Sequence, residues 1–243
     1  ELQGPIEWKE ELISDLMEIG QELGVRRLGG RTANINHLEA CFPTIITDYI
    51  PAIFEDDMKE YLHEFMTSMP AYLTTINVAG SFEGEKISDY YRSPIELGWS
   101  KMIKFDHDFI GRKALEEEMA NPKRTIRTLV WNSEDVIDVY ASLFREGEHY
   151  DYIEIPRFQR GVMYVDKVMK DGKLVGTTSS YGYSYYYRKM LSLCCIDIDQ
   201  AHIGNEVTII WGAPGHPQKE IRATVAPAPY KPDRRKIDLR TLK

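Results

Sequence analysis

The stretch Asp171-Gly172-Lys173-Leu174-Val175-Gly176-Thr177-Thr178-Ser179-Ser180 decides the fold. Asp-Gly between two apolar runs is a strong short-range signal for a tight β-hairpin turn. The run before it is residues 161–169, GVMYVDKVM, and the run after it is 173–178, KLVGTT. Further strand-like runs lie on either side: 125–131, 190–198, 206–211 and 220–226. Several short strands in series, separated by turn residues such as Gly204-Asn205, predict a small antiparallel barrel or sandwich. Asn121-Pro122 ends a helical pattern just upstream, which places a boundary near residues 120–124.

Upstream of that boundary the texture is mixed. Residues 7–24 space Leu12, Ile13, Leu16, Ile19 and Leu23 at three- and four-residue steps, which predicts an amphipathic helix. Pro5 precedes it and Gly24 is expected to close it. A second helix is expected over 55–68 and a third from Arg112 to about Met119, with an alternating strand at Met102–Phe105. The expected architecture is α+β: a mixed region over 1–120, then a compact antiparallel β-barrel domain over 121–243. The first helix is expected to pack on an incomplete small sheet and to leave an apolar face for a partner.

The 243 residues carry 30 Lys+Arg against 38 Asp+Glu, a net charge of −8. This balance argues against a non-specific phosphate-backbone binder. No stretch approaches the length of a membrane-spanning apolar run. The cysteines are Cys41, Cys194 and Cys195, an odd count that is no disulfide framework. Neither they nor the six histidines show zinc-ligand spacing, so no metal is expected and a reducing cytoplasm suits them. The cluster Tyr230-Lys231-Pro232-Asp233-Arg234-Arg235-Lys236 reads as a solvated basic tail.

Three phrases in series resemble the glycine-cleavage T-protein (aminomethyltransferase) family. They are Gly29-Gly30-Arg31 through Leu38-Glu39-Ala40; Ser93-Pro94-Ile95-Glu96 with Phe109-Ile110-Gly111-Arg112-Lys113-Ala114-Leu115; and the 171–180 hairpin. Within that family the chain is most similar to the tetrahydrofolate-dependent vanillate and syringate O-demethylase branch. That finer likeness rests on Ile87-Ser88-Asp89-Tyr90-Tyr91, on 104–111 and on Leu129-Val130-Trp131-Asn132-Ser133-Glu134-Asp135-Val136. The resemblance covers the C-terminal half of such an enzyme, and the opening Glu1-Leu2-Gln3-Gly4-Pro5 aligns with its middle, so a C-terminal piece is expected.

The resemblance implies tetrahydrofolate as cofactor, a methoxylated aromatic as substrate, and either the missing N-terminal half or a second copy as partner. It also implies that Glu39 hydrogen-bonds the pterin ring. A pterin edge presents a ring N–H beside an amino group, and one carboxylate accepts both. His107 is expected near the folate tail and Arg31 beside the site. Tyr90 and Tyr91 are expected at the cleft, and Tyr183, Tyr185 and Tyr187 on one face of a strand as an aromatic wall. Core packing is an equal alternative for these tyrosines. No catalytic residue is assigned. Ala33 stands where the demethylase branch tends to carry Tyr, which removes a hydroxyl able to donate a proton. The alternative reading is a folate-binding accessory or interaction module without transfer activity.

Overall fold

The 171–180 hairpin forms as the sequence predicts. Asp171 (φ 48°) and Gly172 (φ 74°) both adopt left-handed backbone, the conformation of a two-residue hairpin turn. The structure is a computed structural model that describes residues 3–67, 77–155 and 162–232. Glu1-Leu2, residue 161 and the tail from Asp233 onward lie outside the described residues.

In chain order the helices are α1 (Lys9–Ile19), α2 (Gly30–Glu39), α3 (Lys59–Thr67), α4 (Arg112–Ala120) and α5 (Ser133–Ser142). The strands are β1 (Asn77–Ala79), β2 (Arg124–Trp131), β3 (Val162–Tyr164), β4 (Asp166–Lys170), β5 (Lys173–Ser184), β6 (Lys189–Asp197), β7 (Glu206–Trp211) and β8 (Lys219–Ala226). Strands β2-β6-β5-β4-β7-β8 close into an antiparallel barrel, and β1 pairs with β3 in a separate parallel ribbon. The α+β expectation with an antiparallel barrel therefore holds. Closure leaves the barrel no unpaired edge.

Three local expectations need correction. Met102–Phe105 is not a strand: Ser100–Met102 is a single turn of 3-10 helix, and Met102 is exposed. Among the described residues no strand offers these four residues a ladder. Helix α1 stops at Ile19, capped by Gly20, and Gly24 takes its left-handed conformation only after a further turn. Helix α5 interrupts what reads as an all-strand segment. Its signal was present: Asn132 accepts N–H bonds from Glu134 (3.0 Å) and Asp135 (3.1 Å), an N-cap with acidic residues in the first turn. Val136 and Val139 on α5 then join the barrel core.

The core is built from alternation. Along β6, Met190, Cys194 and Ile196 enter the main cluster with Leu129, Trp131, Ile209, Ile221 and Val225. Ser192 faces the same way and accepts a bond from Trp131 Nε1 (2.8 Å), so the buried indole N–H is satisfied. Leu191 and Leu193 point outward and pack with Leu38 and Ile126, which seats α2 on the outside of the barrel. Each such buried side chain stabilises the packing by roughly 1.5–3 kcal/mol. All three cysteines are free and at least half-buried. Burial pushes the Cys195 thiol up to about 11 and the Cys41 thiol up to about 12, so both behave as small hydrophobes.

Strand β5 carries a bulge between Ser179 and Gly182, with Ser180 at φ 42°. Before it, Thr178 faces inward to Ser192 (2.6 Å), while Thr177 and Ser179 face outward to Arg92 (2.7 Å) and Asp48 (2.7 Å). After it, Tyr181 and Tyr183 join or abut the inner cluster, while Gly182 and Ser184 face α2. The extra residue inverts the alternation. Gly182 lets α2 lie close, since a Cβ there would meet Ile35 Cδ1 at 2.5 Å.

Below the bulge, Asp48 is buried and also accepts the Thr44 N–H (2.8 Å). The Ser93-Pro94-Ile95-Glu96 phrase has a structural role. Glu96 accepts the Ser93 N–H (3.0 Å) and pairs with Arg124 (2.5 Å), and Ser93 Oγ bonds Glu118 (2.5 Å), tying α4 to the start of β2.

Described helix α1 buries none of its residues, and Trp8, Leu12, Leu16 and Ile19 are all exposed. Among the described residues no sheet buries it, contrary to the packing expected for residues 7–24, while the exposed apolar face agrees with the expectation.

Replacing Gly182 with Val puts a branched side chain between β5 and α2. The expected loss is about 1–3 kcal/mol of unfolding free energy in urea titrations; an unchanged midpoint would show that the Ile35 side chain yields to the added volume. A second expectation concerns Asp48, whose carboxyl pKa is raised chiefly by burial. A raised acid holds its proton more tightly in the folded chain. Its contribution to stability is greatest at low pH and falls as pH climbs from about pH 4 through the raised value. Asp48→Asn removes that titration. The variant should gain stability relative to the parent as pH rises through this window, and a pH-independent difference would refute the assignment.

Candidate functional site

Helix α2 projects Thr32, Ile35, Asn36 and Glu39 in one stripe, at steps of three and four residues. This stripe forms one wall of a cavity of about 400 Å³, within the range of small-molecule sites. The turn after β5 supplies Tyr185, Tyr186 and Tyr187, and the stretch after β8 supplies Lys231 and Pro232. Arg31 stands at the rim, 3.7 Å from Glu154.

Glu39 is the centre of this arrangement. It is 6% exposed, and its Oε1 accepts a bond from Ser184 Oγ at 2.6 Å. No other hydrogen bond to this carboxylate is formed among the described residues. A carboxylate offers about four acceptor directions. The Glu39 carboxylate therefore presents open acceptor capacity at the wall of the cavity. Its backbone carbonyl, at the C-terminal end of α2, accepts the Lys231 N–H (2.8 Å). Tyr187 stacks edge-on with both Tyr186 and Tyr230, at 4.9 Å in each case. The chain at Tyr230–Pro232 thus borders the site while Lys231 and Pro232 remain exposed, and the rest of the basic cluster lies outside the described residues.

The structure brings Glu39, Arg31, Tyr185 and Tyr187 to one cavity and places Tyr183, Tyr90 and His107 away from it. Tyr183 does not line it: the bulge turns Tyr183 toward the barrel core, and it touches the site only through Tyr185, edge-on at 5.1 Å. Tyr185 and Tyr187 lie in the turn and do not share a strand face with Tyr183. Tyr90 is buried in a separate cluster with Ile50, Met163 and Val165, where its hydroxyl accepts the Gly84 N–H (2.9 Å). His107 is exposed on a loop beside Asp106 (2.9 Å) and Phe109, and does not line the cavity. Ala33 stands off the Thr32–Glu39 stripe and does not line the cavity either. Sequence reasoning missed Ser184 and Lys231. Nothing in Tyr183-Ser184-Tyr185 marks its serine, because the bulge that aims it has no sequence signature here.

Among the described residues no group of three or more His, Cys, Asp or Glu could hold a metal ion, and no helix is long and apolar enough to cross a membrane.

No family model matches the chain. It is 37% identical over 225 residues to the sesamin methylene transferase of Sinomonas sp. (strain No.22), covering 88% of this chain and 50% of that protein. It is 34% identical over 241 residues to the syringate O-demethylase of Sphingobium sp. (strain NBRC 103272 / SYK-6), covering 95% of this chain and 51% of that protein. The chain thus spans about half the length of the curated relatives it matches. Among solved structures, the glycine cleavage system aminomethyltransferase T from Bartonella henselae aligns at 16% identity with a TM-score of 0.39, over 57% of this chain and 32% of that one. Along nearly all its length the chain is thus similar to about half of a methylene transferase and of an O-demethylase, in agreement with the expected likeness to the O-demethylase branch of the T-protein family.

Proposed function

We propose that this chain carries the pterin-recognising part of a tetrahydrofolate-dependent one-carbon transferase, acting on a methoxylated aromatic. The observation that carries the reading is the Glu39 carboxylate: buried, held by a single hydroxyl, and facing a tyrosine-lined cavity of about 400 Å³. A fixed carboxylate suits the paired N–H donors of a pterin edge. The tyrosines offer flat apolar surface with polar tips, which suits a heteroaromatic ring. The two relatives, a methylene transferase and an O-demethylase, support one-carbon chemistry.

Residues 1–120 are read as part of the folate-binding region and 121–243 as the C-terminal barrel unit. In this reading the barrel and α2 bind and orient the acceptor. Tetrahydrofolate, when bound, supplies the nucleophilic nitrogen. Demethylation of an aryl ether expels a phenolate, a poor leaving group, so the reaction needs alignment of that nitrogen behind the methyl carbon and stabilisation of the departing oxygen. This chain's residues meet the first requirement, through Glu39, Ser184 and the Tyr185–Tyr187 turn. Arg31 at the rim is placed to meet an anionic part of the ligand. His107, Tyr90 and Tyr183 lie away from the cavity and are given no contact with it. The same geometry serves a folate-binding module without transfer activity, and turnover separates the two.

Calorimetry with tetrahydrofolate is expected to show binding by the chain and a loss of about tenfold or more in Glu39→Ala, the scale of a hydrogen bond to a charged group. Equal affinities would overturn the pterin assignment. Incubated with syringate and tetrahydrofolate, the chain by itself is expected to form no methyl-tetrahydrofolate, since it spans about half the length of its relatives. Product formation would overturn that expectation.

A further inference from the structure

Ser184 is fully buried, at the last position of β5, and its hydroxyl makes two bonds. It donates to Glu39 Oε1 (2.6 Å) and accepts the Tyr187 N–H (3.1 Å). The first bond fixes an acid whose side chain has three rotatable bonds. The second fixes the turn that carries Tyr185, Tyr186 and Tyr187. That turn is a four-residue loop closed by the Ser184–Lys189 pair and holding Arg188 at φ 52°, a conformation that needs support from its surroundings. One hydroxyl, with one hydrogen to give and lone pairs to receive, therefore sets the carboxylate and the aromatic wall relative to each other. Neither an alanine nor an apolar residue of any size reproduces both bonds.

We propose that Ser184 is the positioning residue of the site: it pre-orients the Glu39 carboxylate and the Tyr185–Tyr187 turn as one unit for a flat heteroaromatic ligand. This rests on the folate reading of Glu39 and adds a residue whose role is to act through Glu39, without necessarily touching the ligand. Pre-orientation lowers the cost of ordering these groups at the moment of binding. The role is available to Ser184 only because the bulge at 179–182 turns it outward and Gly182 lets α2 come within reach.

The test uses the full chain with Ser184→Ala, Glu39→Ala and the double variant, titrated with tetrahydrofolate and with a tetrahydropterin lacking the benzoylglutamate tail. Ser184→Ala is expected to weaken both probes alike, by about tenfold. The double variant is expected to lose less than the sum of the two single losses, since the part of the serine's effect that runs through that acid is already gone in Glu39→Ala. Without ligand, amide exchange at Tyr187 should quicken in Ser184→Ala. Should the alanine variant not fold, Ser184→Cys keeps the shape with a weaker donor and is expected to show the same direction of change. Additive losses in the double variant, or unchanged Tyr187 exchange, overturn the role. Weak binding by Glu39→Ala with full binding by Ser184→Ala overturns it while leaving the folate reading intact. Equal binding by the parent and Glu39→Ala removes the folate reading, and the role of Ser184 with it.

Discussion

The geometry of the site depends on one extra residue in strand β5. Between Ser179 and Gly182 the strand advances three residues while its partner β6 advances two. A strand without that insertion keeps one parity along its length, and Ser184 would then face the barrel interior with Thr178. With it, Tyr181 reaches Trp131 in the core, at 5.4 Å between ring centroids, and Ser184 meets Glu39 on the outside. The barrel core and the cavity wall are two faces of one strand, exchanged at the bulge.

Helix α2 is held at that strand by short-range packing. Leu38 inserts among Leu191, Leu193 and Ile126, and Gly182 removes the side chain that would hold Ile35 away. The helix is weakly amphipathic in composition, with Arg, Thr, two Asn and His among its ten residues. Its position therefore follows from the barrel surface beneath it more than from its own apolar stripe. Polar groups packed on the outward face of β5 are met by specific partners. Asp48 takes bonds from Thr44 and Ser179, and Arg92 reaches Thr177. Burial raises the Asp48 pKa and lowers that of Arg92, so this face trades charge stability for fixed geometry.

The site was half legible. The Leu38-Glu39-Ala40 phrase singled out Glu39, and the glycine turn before it singled out Arg31; both line the cavity. Tyr183 was chosen on the assumption that the tyrosine run keeps strand alternation. The chain instead turns after Ser184, so Tyr183 belongs to the barrel while Tyr185 to Tyr187 belong to the cavity. Tyr90 sits in a motif-like phrase, but its hydroxyl closes a local loop at Gly84. His107 lies in a polar turn with no packing neighbour to bring it toward α2.

The sequence by itself determined the barrel strands, the Asp171-Gly172 turn, the α+β character and the identity of the buried acid. These are local signals: alternation, turn-forming residues and a recognisable phrase. The cap at Asn132 was equally local and equally readable. The tertiary structure alone decided the order of the strands around the barrel, the bulge and the partners of Glu39. Barrel closure and the 179–182 bulge arise from pairing between residues far apart in the chain. The bond from Ser184 to Glu39 spans 145 positions. Its existence depends on side-chain parity, which a single inserted residue reverses.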